Sequence, residues 1–173
     1  MRSIILSLFF IAVQAHAFTV KSSSFKAGAA LPMKYVFNSF GCSGENITPS
    51  LEWSKAPAGT KSFAITVFDP DAPTGSGWWH WTLFNIPAGV TSLKEGEPLP
   101  LGAVEGLTDF GKPGYGGPCP PPGKPHHYIF TVYAIKEAVL PLDKSSSGAM
   151  VGYNLNANKL AKASITVMFG RDK

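Results

Sequence analysis

The side chains able to do chemistry gather in three short stretches. Asp69-Pro70-Asp71-Ala72-Pro73 places two carboxylates in a proline-flanked turn, and Trp78-Trp79-His80-Trp81 follows closely. Gly114-Tyr115-Gly116-Gly117-Pro118-Cys119-Pro120-Pro121-Pro122-Gly123 then leads into His126-His127-Tyr128. A buried imidazole oriented by a carboxylate keeps one tautomer, can carry a proton near neutral pH and donates to the oxygens of an anion. A proline-rigid loop has little conformational entropy left to lose on binding. Trp78, Trp79 and Tyr115 are suited to wall a pocket with apolar faces and polar tips. The chemistry this set suits is capture of a small polar ligand. A plainer reading stands beside it: Asp71 only caps backbone amides in its turn, and His80 is a satisfied, half-buried strand residue. Ala72-Pro73 is a candidate for a cis peptide bond.

Enzyme templates find little support. The chain has no G-x-S-x-G elbow, no H-E-x-x-H, no Walker loop and no dinucleotide fingerprint. Gly117 to Lys124 looks like a phosphate loop, but Pro118, Pro120, Pro121 and Pro122 lack the N–H donors such a loop needs. Asp69, Asp71, His80 and His126 are also an Asp/His set of the kind that binds metals, and a hydrolase using His80 and Asp69 is a further alternative. The reading preferred is neither metal nor cofactor, and no catalysis, because no activated nucleophile accompanies the pair. Asn46-Ile47-Thr48 matches the glycosylation sequon, followed directly by Pro49, and carries no weight.

These residues need a scaffold and a compartment. Arg2, the apolar run Ile4 to Val13 and Ala15-His16-Ala17 together read as a signal peptide cleaved at about Ala17. Its apolar part is about half the roughly 20 residues a membrane span requires. The expected product is a periplasmic or secreted protein, with residues 18–173 forming one domain. Basic residues are scattered and the formal charge is only +4, so nucleic acid is not an expected partner. Cys42 and Cys119 lie outside any C-x-x-C pattern. In an oxidising compartment they are expected to pair, closing a long loop worth roughly 4 kcal/mol; two buried free thiols are the rival.

The elements expected to position the clusters are mainly strands. Phe63 to Phe68 is apolar on both parities, as in a central strand covered on both faces. Trp79 to Ile86 alternates, with Trp79, Trp81 and Leu83 on one face and His80, Thr82 and Phe84 on the other. Tyr128 to Ile135 and Ser164 to Phe169 are further strands, with shorter ones at Thr19–Lys21, Met33–Phe37 and Leu51–Trp53. One helix is expected after Ser145–Ser147, packing through Met150, Tyr153, Ala157, Leu160 and Ala161, with Asn154, Asn158, Lys159 and Lys162 in solvent. Gly111 to Pro125 reads as a long functional loop.

Taken together, Asp69-Pro-Asp-Ala-Pro73, Trp-Trp-His-Trp, the Gly-Pro-Cys-Pro-Pro loop and His126-x-Tyr128 resemble the phosphatidylethanolamine-binding protein family, also called Raf kinase inhibitor-like proteins. Gly41 to Trp53 and Ser147 to Gly152 resemble its bacterial YbhB/YbcL branch, and the likeness runs from about Phe25 to Gly170. It implies a large central β-sheet packed against a smaller one, with few short helices including one near the C-terminus. It also implies a pocket for phosphate, acetate or a phosphoethanolamine-like head group. Asp69, His80, His126 and Tyr128 would line it, and Asp71 belongs to the same turn. Trp78, Tyr115 and the loop containing Pro118, Pro120 and Pro121 would form the rim. Asp69 would face the ammonium of a zwitterionic head group. His127 stands where the family usually has Arg, which implies a less cationic, more pH-sensitive pocket. The eukaryotic C-terminal helix has no counterpart after Phe169, which implies a more open side. The implied function is a non-catalytic binding protein for a small anion or phosphorylated head group, monomeric or homodimeric. The alternative is a module that inhibits a kinase or protease partner.

Overall fold

The computed structural model describes residues 17–172, so the leader expected over residues 1–17 lies, Ala17 apart, outside the described residues. The strands are β1 (Thr19–Lys21), β2 (Leu51–Ser54), β3 (Ser62–Asp69), β4 (Trp78–Pro87), β5 (Ser92–Leu93), β6 (Val104–Glu105), β7 (His126–Ile135) and β8 (Lys159–Phe169). Helix α1 spans Gly148–Asn158 and runs directly into β8. A five-stranded antiparallel sheet has the order β6-β4-β3-β7-β8, and a small sheet has the order β1-β2-β5. The mainly β architecture and its two sheets agree with the expectation.

β3 occupies the middle because its apolar run supplies both faces. Phe63, Ile65 and Val67 join Trp53, Leu83, Phe130 and Val132 in the core beneath the small sheet. Ala64 belongs to a second cluster, with Phe84, Val151 and Leu155, beneath α1. Strands buried on both sides lose the apolar-polar alternation. The two layers of core fix the ends of β3, β4 and β7, and those ends carry the three chemical clusters.

Four local expectations are corrected. First, β4 does not alternate strictly. Val67 pairs with Trp81 while Phe68 pairs with Trp79, which leaves His80 as an extra residue. That slip is the signature of a β-bulge, which re-aims a side chain. Trp79 therefore packs on Phe68, on the α1 side, while Trp81 faces Tyr115 in the other core. Second, Met33–Tyr35 is a 3-10 turn rather than a strand, because Pro32 opens it and the Tyr35 amide donates back to the Pro32 carbonyl.

Third, α1 packs through Gly148, Val151 and Leu155, while Met150 and Tyr153 are exposed. The reason is Trp79: a Cβ on Gly148 would stand 2.2 Å from its Cγ, so only this small-residue face can seat. Leu160 and Ala161 lie in β8, which starts at Lys159 instead of Ser164. Fourth, no peptide bond among the described residues is cis, so the 72–73 bond is trans. The paired cysteines are as expected: Cys42 and Cys119 form a disulfide across a sequence separation of 77.

The seat of α1 gives a paired test. Gly148→Ala should cost about 1–3 kcal/mol in urea unfolding, as overpacking does. Gly152→Ala, whose added Cβ would sit 3.4 Å from Trp79, should be neutral or stabilising by up to about 1 kcal/mol.

Candidate functional site

The bulge at His80 decides the site. Its ring meets Tyr128 at 5.1 Å and Phe110 at 5.3 Å, edge to face in both cases. The Nδ1 atom lies 2.7 Å from the Gly116 carbonyl. A carbonyl oxygen only accepts, so Nδ1 carries the hydrogen and Nε2 is the unprotonated nitrogen of the neutral ring. Burial drives the imidazolium down to about 4, against the opposing pull of the Gly116 carbonyl and then the Asp69 charge. At neutral pH His80 is thus uncharged.

Gly116 is itself held on both sides. Asn46 donates to the Tyr115 carbonyl at 3.0 Å and accepts from the Gly117 amide at 2.7 Å. The Gly116 amide donates to the His80 carbonyl at 2.9 Å, so loop and bulge clasp each other twice. No side chain fits at either glycine: a Cβ would stand 2.4 Å from the Phe110 ring at Gly116 and 2.1 Å from the Tyr35 carbonyl at Gly117. Asn46 adopts a positive φ of 56° and is occupied by this clamp, which gives the discounted sequon a structural purpose.

Carboxylates orient the other two histidines. At the end of β3, Asp69 is buried; its Oδ1 accepts from the Asp71 amide at 2.8 Å, and its Oδ2 takes His126 Nδ1 at 2.8 Å. Asp71 Oδ2 receives the His127 backbone amide at 2.7 Å and its Nδ1 at 2.6 Å. The His127 amide, and then its imidazole, hold the Asp71 carboxyl below the ordinary carboxylate range. The 69–73 turn is therefore pinned to the start of β7 through two Asp-His pairs.

These parts surround a cavity of about 220 Å³. Asp69, Trp78, His80, Pro120, Pro121, His126 and Tyr128 line it, all named from the sequence. Phe40, Ala72, Pro73, Thr74, Phe110 and Cys119 complete the wall. Three residues named for the pocket lie elsewhere, two from the expected rim and one from the turn. The Tyr115 hydroxyl is buried and donates to the Tyr35 carbonyl, with its ring on Trp81. Pro118 gives its carbonyl to the Phe37 amide in the packed base of the loop. Asp71 turns outward to His127. Asp69 lines the cavity with each of its oxygens already accepting one hydrogen bond from the protein.

Sequence reasoning missed Phe40, Phe110 and Arg171. Phe40 is 64% exposed at the cavity edge, held by Phe37 and Phe110 at ring distances of 5.5 and 5.8 Å. Arg171 ties the two wall loops, donating to the Pro120 carbonyl at 2.7 Å and the Gly41 carbonyl at 3.1 Å. No local motif marks these positions; the disulfide, which joins the same two loops, was the available signal.

Two polar groups in the wall are unspent. Among the described residues, Trp78 Nε1 and the Tyr128 hydroxyl are buried without a hydrogen-bond partner. Burial, and then the nearby Asp69 carboxylate, push the Tyr128 phenol upward, so it stays a neutral donor. Trp53 Nε1 and Thr82 Oγ1, away from the cavity, are likewise buried without a partner.

The same frame occurs in other proteins. The phosphatidylethanolamine-binding protein profile matches residues 21–170. The chain belongs to that family. It is 56% identical to the YbcL protein of Escherichia coli K12 over 174 aligned residues, 96% of this chain and 95% of YbcL. It is 50% identical to YbhB of the same strain, over 86% of this chain and 97% of YbhB. The crystal structure of E. coli YbcL superposes with a TM-score of 0.87 over 90% of this chain and 99% of that one. A phosphatidylethanolamine-binding protein homolog from Chlamydia trachomatis gives 0.78 at 30% identity, with the same coverage.

His80 makes the family frame acid-sensitive. Its folded value lies below the ordinary 6.5, so its contribution is intact above 6.5 and is lost as pH falls toward about 4. Urea unfolding between pH 7.5 and 4.5 should show the wild type losing on the order of 2 to 3 kcal/mol more than His80→Gln. Equal pH slopes would contradict a buried neutral imidazole.

Proposed function

We propose that this chain is an exported, non-catalytic binding protein that receives a small oxyanion or phosphorylated head group in the cavity between the 69–74 turn and the Pro120-Pro121 loop. The observation that carries this reading is the convergence of His80, His126, Trp78 and Tyr128 on one cavity. Hydrogen bonds from such side chains to a charged ligand oxygen would contribute about 1.5–3 kcal/mol each. The cavity, at about 220 Å³, is smaller than the roughly 300–1,000 Å³ that drug-sized ligands occupy, which suits a head group. Its mouth is apolar, through Phe40, Phe110, Pro73 and Pro120, so a carbon-bearing substituent of the ligand would meet matching surface.

Binding without turnover agrees with the side chains at hand. The Thr74 hydroxyl donates to the Gly77 carbonyl and Cys119 is consumed in the disulfide, so neither is available as a nucleophile. Export is supported by the leader pattern before Ala17 and by the disulfide, which oxidising compartments favour. No helix among the described residues is long and apolar enough to cross a membrane.

The test is titration of residues 18–173 with inorganic phosphate and O-phosphoethanolamine, following the His80 and His126 ring signals by NMR. Saturable shifts are expected, weakened roughly ten- to a hundredfold in Tyr128→Phe. No shift at millimolar ligand would overturn the reading and favour a protein partner instead.

A further inference from the structure

The large sheet ends at β8, and the protein covers only part of that edge. Residues 28–31 dock along its C-terminal part. The Gly28 amide donates to the Thr166 carbonyl at 2.8 Å, the Met168 amide to the Ala29 carbonyl at 3.0 Å, and the Leu31 amide to the Met168 carbonyl at 2.8 Å. Thr166 and Met168 thus turn their backbone groups away from β7. In an antiparallel ladder that orientation recurs at every second residue. Ser164 and Lys162, paired with Thr131 and Tyr133 in the same unbroken register, therefore point theirs outward as well. The 2.8 Å contact between the Thr131 and Ser164 hydroxyls agrees, since side chains lie closest in pairs that exchange no backbone bonds. Among the described residues no backbone group meets the outward side of Lys162 or Ser164, and both residues are exposed. The opposite edge differs: β6 is 2 residues long, and the Leu107 amide just beyond it is tied to the Ser146 carbonyl.

Lysines surround this open stretch, and Lys162 lies within it. Lys61, Lys136 and Lys159 meet at its start: the Lys61 amide donates to the Ile135 carbonyl, the Lys136 amide donates to the Asn158 carbonyl, and Lys159 pairs with Ile135. Lys26 stands at the far end, where its carbonyl accepts from the Ala29 amide. Among the described residues none of the five is ion-paired, even Lys136 beside Glu137, and β8 itself holds no carboxylate. Lysine on an edge strand commonly guards against self-pairing, and here the guard is selective. A second copy would set these lysines against themselves, whereas an acidic strand would meet opposite charge. We propose that the open part of β8 is a docking edge for an extended acidic segment of a partner protein. The segment adds to the sheet as a further strand, its backbone bonded to Lys162 and Ser164 and its carboxylates set against the lysines. In this mode main-chain hydrogen bonds supply affinity and alternate side chains supply specificity. None of these residues lines the cavity, so a failure here leaves the head-group reading untouched, and the reverse.

The experiment titrates residues 18–173 with a capped heptapeptide of alternating Glu and Val at low ionic strength, followed by backbone NMR and amide hydrogen exchange. Saturable binding is expected at millimolar peptide or below. At saturation the Lys162 and Ser164 amides should exchange at least about tenfold more slowly, while those of Ala161 and Ala163, which face β7, should not change. Lys162→Glu, a change at an exposed side chain, should weaken binding about threefold or more. A heptapeptide with Lys in place of Glu should bind at least about tenfold more weakly than the acidic one. Absence of binding at millimolar peptide, binding without protection of Lys162 and Ser164, or equal binding of the Lys peptide overturns the proposal. Protection of the same two amides that grows with protein concentration alone, with a dimer in sedimentation, also overturns it, because a second copy would then cover the edge.

Discussion

The hydrogen bond between His80 Nδ1 and the Gly116 carbonyl joins the two halves of the site, and most of the local structure can be read as what it takes to hold it. The β4 bulge turns His80 away from the α1 side and toward Tyr128. On the loop side, Asn46 fixes the peptides flanking Gly116, and two glycines allow Phe110 and the Tyr35 carbonyl to approach. Further out, Arg171 and the disulfide tie the same loop to the Phe40 segment. A bond buried this deeply fixes a tautomer, and the tautomer fixes whether the cavity accepts or donates at that point.

The three histidines illustrate how one residue type is set to different tasks by its partner. His80 is paired with a carbonyl and buried, and so is held neutral. His126 is paired with a buried carboxylate, which fixes the orientation of its ring in the cavity wall. His127 is exposed and braces the 69–73 turn through Asp71, doing mechanical work outside the cavity. The expectation of carboxylate-oriented imidazoles holds for His126 and His127 and fails for His80, where the backbone takes the carboxylate's place.

Much of this was legible in the sequence. The double-sided apolar run of β3, the aromatic-rich β7 and the clustering of Asp, His and Pro at strand ends pointed to a mainly β fold with one pocket. Seven of the ten residues named for that pocket do line it. What escaped the sequence had physical causes. A bulge adds one residue to a strand without altering its composition, so strict alternation misassigned Trp79. The face of α1 is chosen by Trp79, a partner distant in sequence, which favours Gly148 over the larger apolar side chains that periodicity selects. Tyr115 has the right chemistry for a rim but is drawn into the core by Trp81 and the Tyr35 carbonyl. Phe40 and Arg171 act through long-range contacts that no local pattern encodes.

The central claim is the protonation state of His80, and nitrogen NMR of its ring reads it directly. With the imidazole nitrogens labelled, long-range proton–nitrogen correlation at pH 7 should show Nδ1 protonated and Nε2 with the shift of an unprotonated, pyridine-like nitrogen. That pattern should persist to below pH 5. A ring protonated at Nε2 alone, or doubly protonated at neutral pH, would contradict the account, because the Gly116 bond would then not fix a neutral tautomer.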